Sequence, residues 1–164
     1  MKIKSLELNN FRPYYGNVKI EFPVSNDGVS ICLIHGHNGY GKTSLLLALN
    51  WCLYGHERLK EAFDLFNYNA RSEILPMMSV KINFQDNCKE FSVLRRIQCN
   101  KPIKTERDLV NNELIVLQDG IRISVQDEQI LQEIVNEKLP KEASQFSFFD
   151  GEEIEKYSSN NAET

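Results

Sequence analysis

Apolar and polar residues alternate at the start of the chain. Ile3, Leu6 and Leu8 mark one segment, and Val18, Ile20 and Phe22 alternate with polar residues in the next. A period of two belongs to half-buried strands, so residues 1 to 22 are expected to form a β-hairpin. Its connection, Asn9-Asn10-Phe11-Arg12-Pro13-Tyr14-Tyr15-Gly16, is a turn with an aromatic cluster. The polar stretch Pro23 to Gly28 then leads into a continuous apolar run, Val29 to Ile34, which reads as a buried strand. Ser44 to Tyr54 (SLLLALNWCLY) reads as a helix, with Gly55 where a C-terminal cap belongs.

Residues 56 to 76 read as a surface excursion with one short helix around Leu59 to Phe66. Ser79 to Phe84 and Phe91 to Gln98 are expected as strands joined by the polar turn Gln85-Asp86-Asn87. Asp119-Gly120, between Glu113–Leu117 and Ile121–Val125, is a two-residue hairpin signal. Asp127 to Leu139 puts Ile130, Leu131, Ile134, Val135 and Leu139 on one helical face, and Pro140 ends it. Gln145 to Phe149 is a short apolar strand running into Asp150-Gly151-Glu152-Glu153-Ile154, and the last ten residues are polar and expected to fray. A hairpin before the helix and several antiparallel strands after it predict a mixed α/β (α+β) lobe of two sheets, with one parallel element.

The segment between the apolar run and the helix carries the chemistry. Gly36-His37-Asn38-Gly39-Tyr40-Gly41-Lys42-Thr43 fits G-x-x-x-x-G-K-[ST] in a strand–loop–helix context. Such a loop wraps backbone N–H groups around phosphates, and needs glycine where a Cβ would block the approach. The helix that follows aims its positive end at the same anion. Lys42 would reach the β- and γ-phosphates, and the Thr43 hydroxyl would ligate Mg²⁺.

Composition narrows the class without naming a partner. A chain of 164 residues with 41% hydrophobic and 26% charged content suits one globular domain with a real core. No apolar run approaches the ~20 residues that span a bilayer, and the N-terminus lacks a signal-peptide pattern, so a cytoplasmic location is expected. Cys32, Cys52, Cys88 and Cys99 are widely spaced, which argues against a disulfide framework or a zinc site. Cys32 and Cys52 lie in apolar segments and read as small core residues. Nineteen basic against 23 acidic residues give a net charge of −4, so any nucleic-acid contact needs a local patch or a partner. Arg95 and Arg96 sit side by side on a strand and must face opposite ways, so at most one serves a given surface.

Several of these segments resemble those of SMC-type ATPases, the structural-maintenance-of-chromosomes group with its repair and defence relatives. Asn38 in G-x-N-G-x-G-K-T, the helix ending Leu53-Tyr54-Gly55, the opening Leu6-x-Leu8-x-Asn10-Phe11-Arg12 and the strand Phe91-Ser92-Val93-Leu94-Arg95-Arg96 are all similar to that group's patterns. Phe148-Phe149-Asp150-Gly151-Glu152 is similar to a segment of the DndD-type ATPases linked to DNA phosphorothioation, with Lamassu-type defence ATPases as close relatives. The resemblance implies a P-loop NTPase of the ABC/SMC head type, of which residues 1–164 would be the N-terminal lobe. It implies ATP and Mg²⁺ as cofactors, and hydrolysis once a C-terminal lobe and a second head close over the loop. It further implies DNA and other defence or DNA-modification proteins as partners of the full-length complex, and no membrane.

The resemblance also assigns site residues. Arg12, Gly36, Asn38, Gly39, Gly41, Lys42, Thr43 and Ser44 would hold the nucleotide. Arg12 would lie against its phosphates or base, and Asn38 would contact the γ-phosphate side or the attacking water, unless it serves only as a turn residue tolerating an unusual φ. Lys42 and Asp150 would be catalytic, and Thr43 and Asp150 would hold the metal. Asp150 stands where repair ATPases carry a glutamine. It also fits the end of a Walker B strand, with Glu152 or Glu153 as base, or an acidic helix start. Two other classes remain open: a self-contained P-loop enzyme of the small-molecule-kinase kind, and a non-catalytic module whose assembly is gated by ATP. The absence of an N-K-x-D motif argues against a GTPase.

Overall fold

Alternation carries Lys2–Phe11 (β1) and Tyr14–Glu21 (β2) into an antiparallel hairpin, as their period predicts. The computed structural model describes residues 1–23, 31–37, 39–55, 59–109, 112–125 and 127–141. Within these, Met77–Asp86 (β3), Lys89–Gln98 (β4), Asn112–Gln118 (β5) and Ile121–Arg122 (β6) complete a six-stranded sheet ordered β2-β1-β3-β4-β5-β6. Every pairing in it is antiparallel.

The register lines up one apolar row after another. Ile20, Leu6, Ile82, Val93 and Val116 lie side by side across five strands. The adjacent row is Val18, Leu8, Val80, Arg95 and Leu114, so an arginine occupies a position that strand parity assigns to the core. The helix Lys42–Tyr54 (α1) lies over β3 and β4, and Glu128–Lys138 (α3) packs on α1 and β5. Trp51 of α1 meets Phe11 at 5.8 Å between ring centroids, tying the helix to the end of β1. Cys52 sits between the carbonyls of Val80 and Val93 at 3.2 and 3.3 Å, and burial pushes its thiol pKa up to about 12. It is the core residue expected of it.

Local chemistry explains the element ends. Asp127 caps α3 by accepting from the Gln129 N–H at 2.8 Å, with Glu128 in the first turn where the helix dipole favours an acid. A short helix, Leu59–Leu65 (α2), falls where one was expected. Asp119 (φ 52°) and Gly120 (φ 79°) make the two-residue hairpin turn before β6. The β3–β4 hairpin turns on Asn87 and Cys88, with φ of 47° and 64°, one residue later than Gln85-Asp86-Asn87 implied. Left-handed backbone is costly for a residue with a Cβ. Cys88→Gly is therefore expected to raise stability by about 0.5–1 kcal/mol, read as a later urea midpoint with an unchanged slope. A midpoint at or below that of the parent would show that the turn carries no such strain.

Other expectations are corrected. Residues 31–37 form no strand, and none of the described strands pairs with them. Ile31 and Leu33 are 89% and 88% exposed, and Cys32 is exposed rather than in the core. An apolar run becomes a buried strand only where a neighbour supplies a hydrogen-bond ladder and a packing face, and the described residues supply neither here. The described strands accordingly make one antiparallel sheet, without the parallel element. Strand β6 stops at Arg122 instead of Val125, and Ile130 lies on the exposed side of α3 while Leu131, Val135 and Leu139 are buried. The segment 145–154 lies outside the described residues. Among them, no helix is long and apolar enough to cross a membrane.

Candidate phosphate-binding site

Helix α1 begins without the devices that usually satisfy a helix N-terminus. Its cap residue is Gly41, which has no side chain to accept from the first-turn N–H groups, and its first turn contains no acidic residue. The positive end of a thirteen-residue helix is thus not neutralised by its own side chains. Lys42 adds a full charge there. Its Nζ donates to the carbonyls of Gly36 at 2.7 Å and His37 at 3.2 Å, drawing the start of the loop over the start of the helix. Thr43 is exposed at the second helical position, and Ser44 is buried at the third.

The turn between β1 and β2 closes on this helical turn from one side. Arg12 donates from Nε to Ser44 Oγ at 3.2 Å, and the Tyr14 hydroxyl donates to the Gly41 carbonyl at 3.2 Å. Burial raises the Tyr14 pKa, so the phenol stays a donor at neutral pH. The loop backbone passes so close to this turn that position 41 has no room for a side chain. A Cβ built there would lie 2.8 Å from the Tyr14 oxygen and 3.2 Å from Pro13 Cγ, and the residue's φ of 91° is left-handed. Gly41→Ala is therefore expected to lower stability by about 2 kcal/mol in urea denaturation. Gly16→Ala, where φ is 71° but nothing lies within 4 Å, should cost only about 1 kcal/mol. Equal losses would mean that the close approach contributes nothing.

Of the residues expected at the site, the structure gathers Arg12, Gly36, Gly39, Gly41, Lys42, Thr43 and Ser44 around one helix start. Asn38 and Asp150 lie outside the described residues, as do Glu152 and Glu153. Tyr14 was not anticipated, although the Pro13-Tyr14 pair directly after Arg12 in an aromatic turn was its signal. The arginine pair separates as strand parity requires. Arg95 turns inward, and Arg96 turns outward to Glu113 at 2.7 Å, which Arg122 also reaches.

The arrangement fits a phosphate group. It offers a helix start whose cap residue makes no side-chain bond, a lysine, and an arginine with only Nε engaged among the described residues. It also fits Mg²⁺ in the way that ion is usually held, by a hydroxyl such as that of Thr43, phosphate oxygens and water. The described residues contain no cluster of three or more His, Cys, Asp or Glu that could cage a metal by itself.

The sequence matches the AAA domain family (AAA_23) over residues 5–163. It is 29% identical to the chromosome partition protein Smc of Lactiplantibacillus plantarum, a match covering 73% of this chain and 10% of that protein. The chain therefore spans about a tenth of the length of the curated relative it matches. The SMC head domain from Thermotoga maritima is similar over 80% of this chain and 42% of its own, with 22% identity and a TM-score of 0.44. With a family match running from residue 5 to residue 163, the chain belongs to the AAA domain family.

Proposed function

We propose that this chain is the ATP-binding N-terminal lobe of an SMC-like ATPase head, completed for hydrolysis by a C-terminal lobe and a second head. The observation that carries this reading is the uncapped, acid-free start of α1, on which Lys42 and Arg12 converge. Lys42 would neutralise the β- and γ-phosphates, and Arg12 would turn its terminal nitrogens to the same anion. Thr43, with Asp150, would hold Mg²⁺, which offsets the charge shared by the β- and γ-oxygens.

Two further observations support a missing lobe. Ile31 and Leu33 are exposed directly before the phosphate loop. Helix α1 is apolar on nearly every side, yet Leu46 and Leu47 are only half-buried, and such a helix belongs where it is covered all round. In this reading nucleotide-driven closure and release of paired heads serves a DNA-processing or defence complex, of which a DndD-like system is the specific form proposed.

Calorimetric titration with Mg²⁺-ATP tests the proposal. Saturable binding competed by ADP, with GTP no better than ATP and little turnover by the isolated chain, is the expected result. A strong GTP preference would overturn it. So would brisk hydrolysis by the isolated chain, because half of the catalytic constellation should position a nucleotide without activating water.

A further inference from the structure

The turn that carries Arg12 is strained and is held from outside. Asn10 and Arg12 both have left-handed backbones, with φ of 51° and 48°. Such conformations persist only where surrounding contacts over-determine them. Here the contacts come from the last residue of α2 and the two that follow it, more than fifty positions along the chain. The Arg12 N–H donates to the Leu65 carbonyl at 2.7 Å, and the Arg12 carbonyl accepts from Asn67 Nδ2 at 2.6 Å. The Asn67 N–H donates to the Asn10 carbonyl at 2.8 Å, and Phe66 bridges to Phe11. Asn67 is 6% exposed, and its Oδ1 accepts from the N–H groups of Asn69 and Ala70. One buried amide thus fixes its own turn and the carbonyl of Arg12 together.

We infer that Asn67 is a positioning residue for the phosphate site: by holding the Arg12 carbonyl it aims the Arg12 guanidinium across the first turn of α1, where Nε already meets Ser44. The inference rests on the nucleotide reading above. It assigns residues 65–67, which carry no part of the phosphate loop, a share in nucleotide affinity. With both backbone groups of Arg12 engaged, its Cα–Cβ bond has one origin and one direction, and the Nε bond to Ser44 holds the far end of the side chain. Without the Asn67 amide the turn can relax from φ 48°, and the guanidinium loses its preset approach.

The test is a double-mutant cycle on the full chain, read as Mg²⁺-ATP affinity. Asn67→Ser is neutral and keeps an oxygen for the local turn, but cannot reach the Arg12 carbonyl. Asn67→Asp keeps the full side-chain length but replaces the donor with a carboxylate oxygen and adds a negative charge, so the neutral serine variant carries the cycle. Each is expected to weaken ATP binding by about tenfold, the scale of one charged hydrogen bond. Arg12→Ala should weaken it at least as much, and adding Asn67→Ser to Arg12→Ala should do no further harm. A residue that merely stabilises the fold would give the same loss with or without Arg12, and that additivity would overturn the inference. So would wild-type affinity in Asn67→Ser, an Arg12→Ala variant that binds normally, or failure of both Asn67 variants to fold. In those three cases the parent still binds ATP. A parent that does not bind would instead overturn the nucleotide reading, and this inference with it.

Discussion

Lys42→Ala is expected to weaken Mg²⁺-ATP binding by about a hundredfold or more while leaving the fold nearly as stable as before. The two halves of that expectation have different sources. Among the described residues Nζ is engaged only with the loop carbonyls of Gly36 and His37, at a partly exposed position. Losing those bonds should cost about 1 kcal/mol or less, because water replaces the lost donor at an exposed site. A bound triphosphate, by contrast, brings several negative charges to a helix start with no acidic side chain to repel it and no side-chain cap to displace. The ammonium is then one of few full charges opposing the phosphates, and two orders of magnitude in affinity correspond to about 2.7 kcal/mol. Lys42→Arg should recover little, since a planar fork does not fit where a compact ammonium meets two carbonyls and a phosphate. Fluorescent-nucleotide titration beside a urea melt separates the two effects. Equal ATP affinity in Lys42→Ala and parent would show that the loop is a structural turn.

What could be read in advance follows from how local the determining forces are. Asp119-Gly120 and Asp127-Glu128 announce a turn and a helix start because the chemistry acts within a few residues. The start of α1 is legible for the same reason, as Gly39 and Gly41, with φ of 84° and 91°, shape the backbone next to them. The run Val29 to Ile34 is different. Its composition suits a strand, but a strand is a relation between two segments, and Ile31 and Leu33 stand exposed where no described strand pairs with them. Cys32 follows its segment outward for the same reason.

The residues that shape the site around the loop were harder to see. Tyr14 meets Gly41 across 27 positions, and Asn67 meets Arg12 across 55, each through a backbone carbonyl that leaves no mark on the partner's residue type. For Asn67 the only local trace is its Asx turn, in which Oδ1 accepts from the N–H two residues on. Parity did constrain Arg95. It shares a strand face with Phe91, Val93 and Ile97, so alternation alone turns it toward the core once that face is known to be buried. A charge at such a position needs partners, and the sequence does not say which.

Arg95→Ala is expected to lower stability by about 3 kcal/mol, a larger loss than that of Gly41→Ala. The guanidinium is 3% exposed, and burial pushes its pKa below the usual arginine value, with Cys52 and Glu128 opposing that fall. It donates from Nε to the Cys52 carbonyl at 3.2 Å and from Nη2 to Gln132 Oε1 at 2.7 Å, while Gln132 Nε2 donates to the Leu53 carbonyl. These bonds satisfy the last carbonyls of α1, which have no partner within the helix, and join its end to α3. Gly55 makes room for the guanidinium, since a Cβ there would lie 3.2 Å from Arg95 Cζ. Truncation would leave a cavity beside Gly55 and an orphaned carbonyl, each costing about 1–3 kcal/mol, with partial relaxation bringing the sum near three. The ion pair to Glu128, at 3.4 Å with that carboxylate half-exposed, should matter far less. Glu128→Gln is accordingly expected to cost no more than about 0.5 kcal/mol. Urea melts of the two variants decide between helix-end satisfaction and charge pairing as what Arg95 provides, and comparable losses would favour the pair. ATP affinity per folded molecule should stay at the parent value in Arg95→Ala, because the start of α1 is held separately by Arg12, Tyr14 and Lys42.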